Sequence, residues 1–177
     1  MKKVLFFATL LLCMGLTSCE KEDIGGTATE SMAGEWYVTV DAADANGNVV
    51  EGFEDPFGLG KIHVLTYNAS DNNPNVLIVD DLENFWGFKA KTNCDQNTLT
   101  FSTSTSENNN LVAGYEDINV TITGGKIIKN GGVQNNGSKA DYIEFYVSFS
   151  DDAYPAAYGY ANYKVSGVRY SGLEEND

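Results

Sequence analysis

The sequence predicts an all-β domain, an antiparallel sandwich or barrel of about nine short strands. Three observations carry this reading. From Gly34 onward the apolar residues recur with a period of two. Polar turn signals separate the apolar runs. No segment offers an amphipathic helix of three turns, and no internal repeat is visible.

Residues 141–150 show the alternation most clearly. Ile143, Phe145, Val147 and Phe149 point to one face, and Tyr142, Glu144, Tyr146 and Ser148 to the other. In the first strand Trp36, Val38 and Val40 alternate with Tyr37, Thr39 and Asp41. Further strands are expected over residues 62–67, 75–80, 86–91, 98–102, 116–123, 126–129 and 162–170. The turns expected between them are Asn46-Gly47, Asn72-Asn73-Pro74, Gly124-Gly125, Gly131-Gly132 and Asn136-Gly137. One longer irregular stretch, residues 47–61, carries Phe53, Pro56, Phe57 and Leu59 among acids and glycines. A loop of this kind folds over something, either as a lid across a barrel mouth or as a plug in the end of the core.

The amino terminus reads as an address. Lys2-Lys3, an apolar run from Val4 to Gly15, and Leu16-Thr17-Ser18-Cys19 have the layout of a cleaved export signal ending in a lipobox. The run is shorter than the roughly 20 apolar residues a membrane-spanning helix needs. Residues 1–18 are therefore read as a lipoprotein signal peptide, with Cys19 as the lipid anchor. Several acyl chains hold to a bilayer far better than one. Residues 19–32 follow as an acidic flexible linker, from Glu20-Lys21-Glu22-Asp23 through Gly25-Gly26 to Ser31, and residues 33–177 as a β-barrel domain. The expected location is the outer membrane. The acidic cluster resembles tags that carry some Gram-negative lipoproteins to the cell surface, and is equally readable as a solvated linker.

Composition narrows the partners. The 177 residues carry a formal charge of −14. Without residues 1–18, 159 residues remain, with 9 Lys and Arg against 25 Asp and Glu, or about −16. That is one domain with a proper core. Nucleic acid and a flat docking onto anionic lipid are both excluded as partners, because each requires basic patches. Cys13 leaves with the signal and Cys19 goes to lipid, so Cys94 stands alone with no intrachain disulfide to form. Within Thr92-Asn93-Cys94-Asp95, read as a turn, it is a small buried hydrophobe rather than a nucleophile.

Candidate chemistry is sparse. His63, the single histidine, lies in an alternating strand with no Gly-x-Ser-x-Gly elbow and no acid at a suggestive spacing. It reads as an outward-facing strand residue, or else as a general base. One histidine and one cysteine do not make a zinc site, so neither metal nor cofactor is expected. Glu144, flanked on its face by Tyr142 and Tyr146, is the other candidate base if that face lines a cavity, and a solvated strand residue if it does not. Asp44-Ala45-Asn46-Gly47-Asn48 has a calcium-loop flavour, but Asp55 stands where an EF-hand has its last Glu, and a hairpin turn accounts for it better. Aromatics gather in Phe85-Trp86-Gly87-Phe88 and in Tyr154, Tyr158, Tyr160, Tyr163 and Tyr170, as a core, an apolar pocket or a sugar-stacking surface would require.

Gly34-Glu35-Trp36 opening the first strand, with Arg169 near the end of the last, resembles the calycin arrangement of lipocalin-like barrels. Longer segments resemble the Bacteroidales-type lipoprotein family described as lipid-binding putative hydrolase. They are Ala33-Gly34-Glu35-Trp36-Tyr37-Val38, Phe85-Trp86-Gly87-Phe88-Lys89 with Asn93-Cys94-Asp95, residues 125–132, residues 140–146 and residues 163–167. The resemblance implies a lipocalin-like antiparallel barrel of eight to nine strands on a lipid anchor, with a lipid or other apolar small molecule as ligand. Trp36, Trp86, Phe88, Phe145 and Phe149 are the candidate pocket walls, and Arg169 a structural latch over Trp36. No catalytic constellation accompanies the hydrolase half of that description, and no catalytic residue is carried over. Hydrolysis of a lipid or glycan ester, with His63 or Glu144 as base, stands as the alternative function. A surface glycan- or protein-interaction module built on the tyrosines stands as another.

Overall fold

A computed structural model describes residues 26–104 and 109–176. The expected signal, Cys19 and the acidic cluster after it lie outside the described residues. Among the described residues the chain forms eight strands: β1 (Gly34–Ala43), β2 (Ile62–Asn68), β3 (Val76–Asp80), β4 (Lys89–Asp95), β5 (Thr100–Ser102), β6 (Val120–Val133), β7 (Lys139–Phe149) and β8 (Asn162–Arg169). Each pairs antiparallel with its sequence neighbour, and β8 returns to β1, closing the sheet into a barrel. The seam runs from Trp36 opposite Arg169 to Ala43 opposite Asn162. Closure removes sheet edges.

Inward positions follow the expected alternation. Trp36, Val38, Val40 and Ala42 of β1, Ile143, Phe145, Val147 and Phe149 of β7, and Tyr163 and Val165 of β8 are all buried. Across the barrel they meet Val64, Leu77, Val79, Phe101 and Ile122. Side chains of this size fill the interior of an eight-stranded barrel.

Eight strands appear instead of nine because the stretches expected at 116–123 and 126–129 are one strand, β6. Its register slips between Thr123 and Lys126 and again between Ile128 and Gly132. Gly124-Gly125 and Gly131-Gly132, read as turns, are bulges inside this strand. A Cβ on Gly125 would stand 2.5 Å from the Phe101 ring and from its carbonyl oxygen, so this bulge lets β5 close on β6. The true β6–β7 turn is Gln134–Ser138. A second correction concerns residues 92–95, which are not a turn but the end of β4, with Cys94 buried. The Cys94 thiol points to the Pro74 carbonyl at 3.6 Å, and burial pushes its pKa up. Residues 28–32, expected within the flexible linker, form a turn with Thr29 and Met32 completely buried.

The barrel has two different ends. The floor is where β1 begins, and it holds the residue 28–32 turn, the 69–75, 96–99 and 134–138 connections, and a 3-10 turn at Glu174–Asn176. The mouth holds the 44–61 and 81–88 connections, residues 103–104 and 109–119 between β5 and β6, and the 150–161 connection, which contains one short helix, α1 (Tyr154–Tyr158).

Candidate functional site: an aromatic lid at the barrel mouth

The 44–61 loop begins as a hairpin turn. Asp44 Oδ1 accepts the amides of Asn46 and Asn48, and these bonds, the Asn48 amide first, hold the Asp44 carboxyl below its ordinary pKa. The backbone then crosses the mouth, tied down where the Asp55 carboxylate accepts the amides of Leu59 and Gly60. This lays Phe57 among four rings: Phe85 at 5.5 Å, Trp86 at 5.9 Å, Tyr154 at 5.6 Å and Tyr163 at 5.5 Å between centroids. Phe53 reaches Tyr158 and Tyr160 at 5.8 and 6.0 Å.

Opposite the lid, the 81–88 loop is wound around one carboxylate. Asp81 is fully buried and accepts backbone amides from Glu83, Phe85, Trp86, Gly87 and Phe88 at 2.9 to 3.3 Å. Leu82 and Glu83 both take left-handed backbone angles, φ 54° and 60°, which non-glycine residues adopt rarely. The carboxylate nest holds them there and projects Phe85 and Trp86 over the core. Trp86 stacks on Phe149 at 4.9 Å with 5° between the planes, and its Nε1–H donates to Asp151. Tyr160 and Tyr163 exchange a hydroxyl hydrogen bond of 2.9 Å, and Tyr163 donates to Asp152 at 2.6 Å. Burial first, and then the bond to Asp152, push the Tyr163 phenol far above its ordinary pKa, so it stays a donor.

Between lid and α1 lies a cleft of about 330 Å³ lined by Gly52, Phe53, Pro56, Phe57, Tyr154, Tyr158 and Tyr160. That volume is at the lower end of small-ligand sites. Tyr154 and Tyr158 are 46% and 56% exposed, so the cleft opens to solvent along their faces.

The residues singled out in the sequence separate into three places. Trp86, Phe88 and Phe149 meet at the mouth, where Phe88 packs on Phe149 at 5.6 Å. Phe145 sits in mid-barrel against Phe101. Trp36 lies at the floor, completely buried, with its Nε1–H donating to Thr66 and Thr66 donating in turn to the Met32 carbonyl. Arg169 spans Trp36 with its guanidinium carbon 4.5 Å from the ring centroid, donates to the Ala33 carbonyl and reaches Asp141. A Cβ on Gly34 would stand 2.0 Å from Arg169 Nη1, which explains the glycine two residues before the tryptophan.

The two candidate bases are on the outer wall. His63 is half-buried between Tyr37 and Tyr170, with Nδ1 2.8 Å from Glu35 Oε1. Sequence spacing gave no hint of that acid, because strand pairing delivers it: β1 and β2 set Tyr37 opposite His63, two residues from Glu35 in the chain and on the same face of β1. Glu144 is clamped by Lys126 and Lys164 at 3.0 Å each. Burial pushes its pKa up, but the two lysines outweigh that and hold the carboxyl below its ordinary value. The residue with most influence on the site, Asp81, was visible only as one of a run of acids.

Fold and site together define a lipocalin-like protein, a closed eight-stranded up-and-down barrel whose mouth is covered by an aromatic lid. The chain belongs to the family described as lipid-binding putative hydrolase, whose model matches residues 21–174. No curated relative matches the sequence.

Proposed function

We propose that this protein is a membrane-anchored lipoprotein that takes a lipid or other amphipathic small molecule at the lidded mouth of the barrel. The aromatic lid carries this reading. Phe53, Phe57, Phe85 and Trp86 are only partly buried and hang from loops, where they pack on the core instead of forming it. A hydrocarbon chain can replace their mutual contacts without breaking a strand. Trp86, Phe88 and Phe149 are the walls such a chain meets beneath the lid, while Trp36 and Arg169 close the opposite end. The chain enters the barrel at the floor. With Cys19 acylated in the outer membrane, the mouth would point away from the bilayer and receive ligand from the aqueous side or from another protein.

Native mass spectrometry of residues 20–177, followed by denaturation and organic extraction, tests this directly. A reproducible excess mass that releases a lipid is the expected result. Clean protein that also takes up no fluorescent fatty amine or alcohol would refute it.

Hydrolysis has one observation in its favour, the Glu35–His63 contact, which is the pairing that orients a general base. His63→Ala should then abolish turnover of a lipid or glycan ester and spare ligand retention. A panel of esters giving no turnover above blank removes this reading.

A further inference from the structure

The charge around the mouth is as one-sided as its lid is aromatic. Glu51, Glu54, Glu83, Glu116, Asp151 and Asp152 all stand on the four mouth connections. The cation those connections carry, Lys61, is turned to the outer wall, 4.9 Å over the Tyr37 ring. Among the described residues the ion pairs made by lysine and arginine use Asp80, Asp141 and Glu144, all of them on strands. The mouth carboxylates bond neutral donors instead. Glu54 accepts the amide of Gly52 in the cleft wall, Asp151 the Trp86 indole, and Asp152 both the Tyr163 hydroxyl and the Tyr154 amide. Their charge is left uncompensated around a cleft whose wall presents ring faces.

The rings stand at several angles to one another. Tyr154 and Tyr158 are stacked 6.0 Å apart at 18°, Phe53 meets Tyr158 at 54° and Tyr160 at 51°, and Phe57 meets Tyr154 edge-on at 82°. A cation between them would face negative π density on more than one side and carboxylates beyond it. A carboxylate or phosphate headgroup would meet repulsion from both.

Building on the lipid-binding reading, we propose that the cleft of Phe53, Phe57, Tyr154, Tyr158 and Tyr160 is a headgroup site for alkylammonium amphiphiles and discriminates against anionic lipids. The ammonium group sits among the rings, and the chain passes beneath Phe57 toward Trp86 and Phe149.

The test uses residues 20–177 and three probes with the same sixteen-carbon chain, below their micelle concentrations: hexadecyltrimethylammonium, hexadecanol and hexadecanoate. Calorimetry or quenching of tryptophan fluorescence reads the binding. The expected result is one-to-one binding of the ammonium probe at least tenfold tighter than the carboxylate, with the alcohol between them. Added salt should shrink the advantage. Tyr158→Ala, at a side chain more than half exposed, should remove most of it while leaving the net charge and the fold intact. Glu54→Gln should reduce it without affecting the alcohol. Hexadecanoate binding as tightly as the ammonium probe, while all three bind, overturns the headgroup assignment and leaves the lipid site standing. An ammonium advantage indifferent to Tyr158→Ala is adsorption to an acidic surface and also overturns it. Failure of all three probes to bind overturns both readings together.

Discussion

The floor and the mouth of this barrel are closed by opposite means. At the floor, strand residues do the closing. Trp36 and Arg169 face each other across the β1–β8 seam, and every polar atom that the Trp36–Thr66–Met32 chain buries has a partner. The Asp141 carboxylate gathers Lys129, Arg169 and the Asn130 amide there. At the mouth, loops do the closing, through ring contacts that are apolar and tolerant of direction. A register-locked end opens only when the sheet does, whereas a loop-borne end can part locally. The same eight strands thus carry a register-locked base and a loop-borne lid.

The comparison is broken most severely at its two buried anchors. Trp36→Ala should cost about 3–5 kcal/mol, the range for removing a large core aromatic, read by urea unfolding. Asp81→Ala should approach that cost, roughly 3 kcal/mol or more, because five amides, those of Gly87 and Phe88 buried and the others part-buried, lose their acceptor at once. It should also shift Trp86 emission toward that of a solvated indole. A loss below about 1 kcal/mol would mean that the 81–88 loop holds its shape without the nest.

Arg169→Ala comes next, at about 1–2 kcal/mol for a half-exposed cation over an indole with one carbonyl bond. Melting should fall by roughly 3–6 °C for a domain of this size. Unchanged melting would remove the latch. Phe57→Ala should cost about 1 kcal/mol, less than Trp36→Ala because the side chain is only partly buried, yet it should lower ligand retention where Arg169→Ala does not. Hydrogen exchange sharpens the contrast without mutation: amides of β1 from Trp36 to Val40 should outlast those of residues 50–60.

The smallest effect concerns acid. Asp141 and Glu144 both have carboxyls held below their ordinary values of 3.8 and 4.5. For each, burial acts in the opposite direction and is outweighed, at Asp141 by the Asn130 amide, Lys129 and Arg169, and at Glu144 by its two lysines. A depressed folded-state pKa adds stability that is fully present above the ordinary value and is lost as pH falls through the folded one. Melting should therefore hold at pH 6, decline below about 4.5, and decline less in Asp141→Asn. A melting temperature flat down to pH 3 would show that these pairs contribute nothing.

Much of the wall was legible because a strand with one face in the core must alternate. Ile143 to Phe149 and Trp36 to Val40 announce their faces without reference to any neighbour. The Gly-x-Trp and the late arginine were legible as a pair. β6 was misread, since a glycine pair favours a turn and a bulge alike, and only the partner strand distinguishes them. Residues 92–95 were misread because Asn and Asp favour turns locally, while pairing with β3 and β5 holds them extended. The linker was expected to run as far as residue 32 because Thr, Ser and Glu surround Met32 and nothing nearby competes to bury it. At the site, the rings were visible but not their meeting.

The sequence by itself determined a period-two, all-β chain with an acidic composition, because side-chain alternation and charge are local properties. Only the tertiary structure decided that Phe57 lies among Phe85, Trp86, Tyr154 and Tyr163, that Glu35 meets His63, and that Asp81 organises its loop. Those contacts depend on which strands are neighbours and in what register. Register is settled by the whole barrel closing at once.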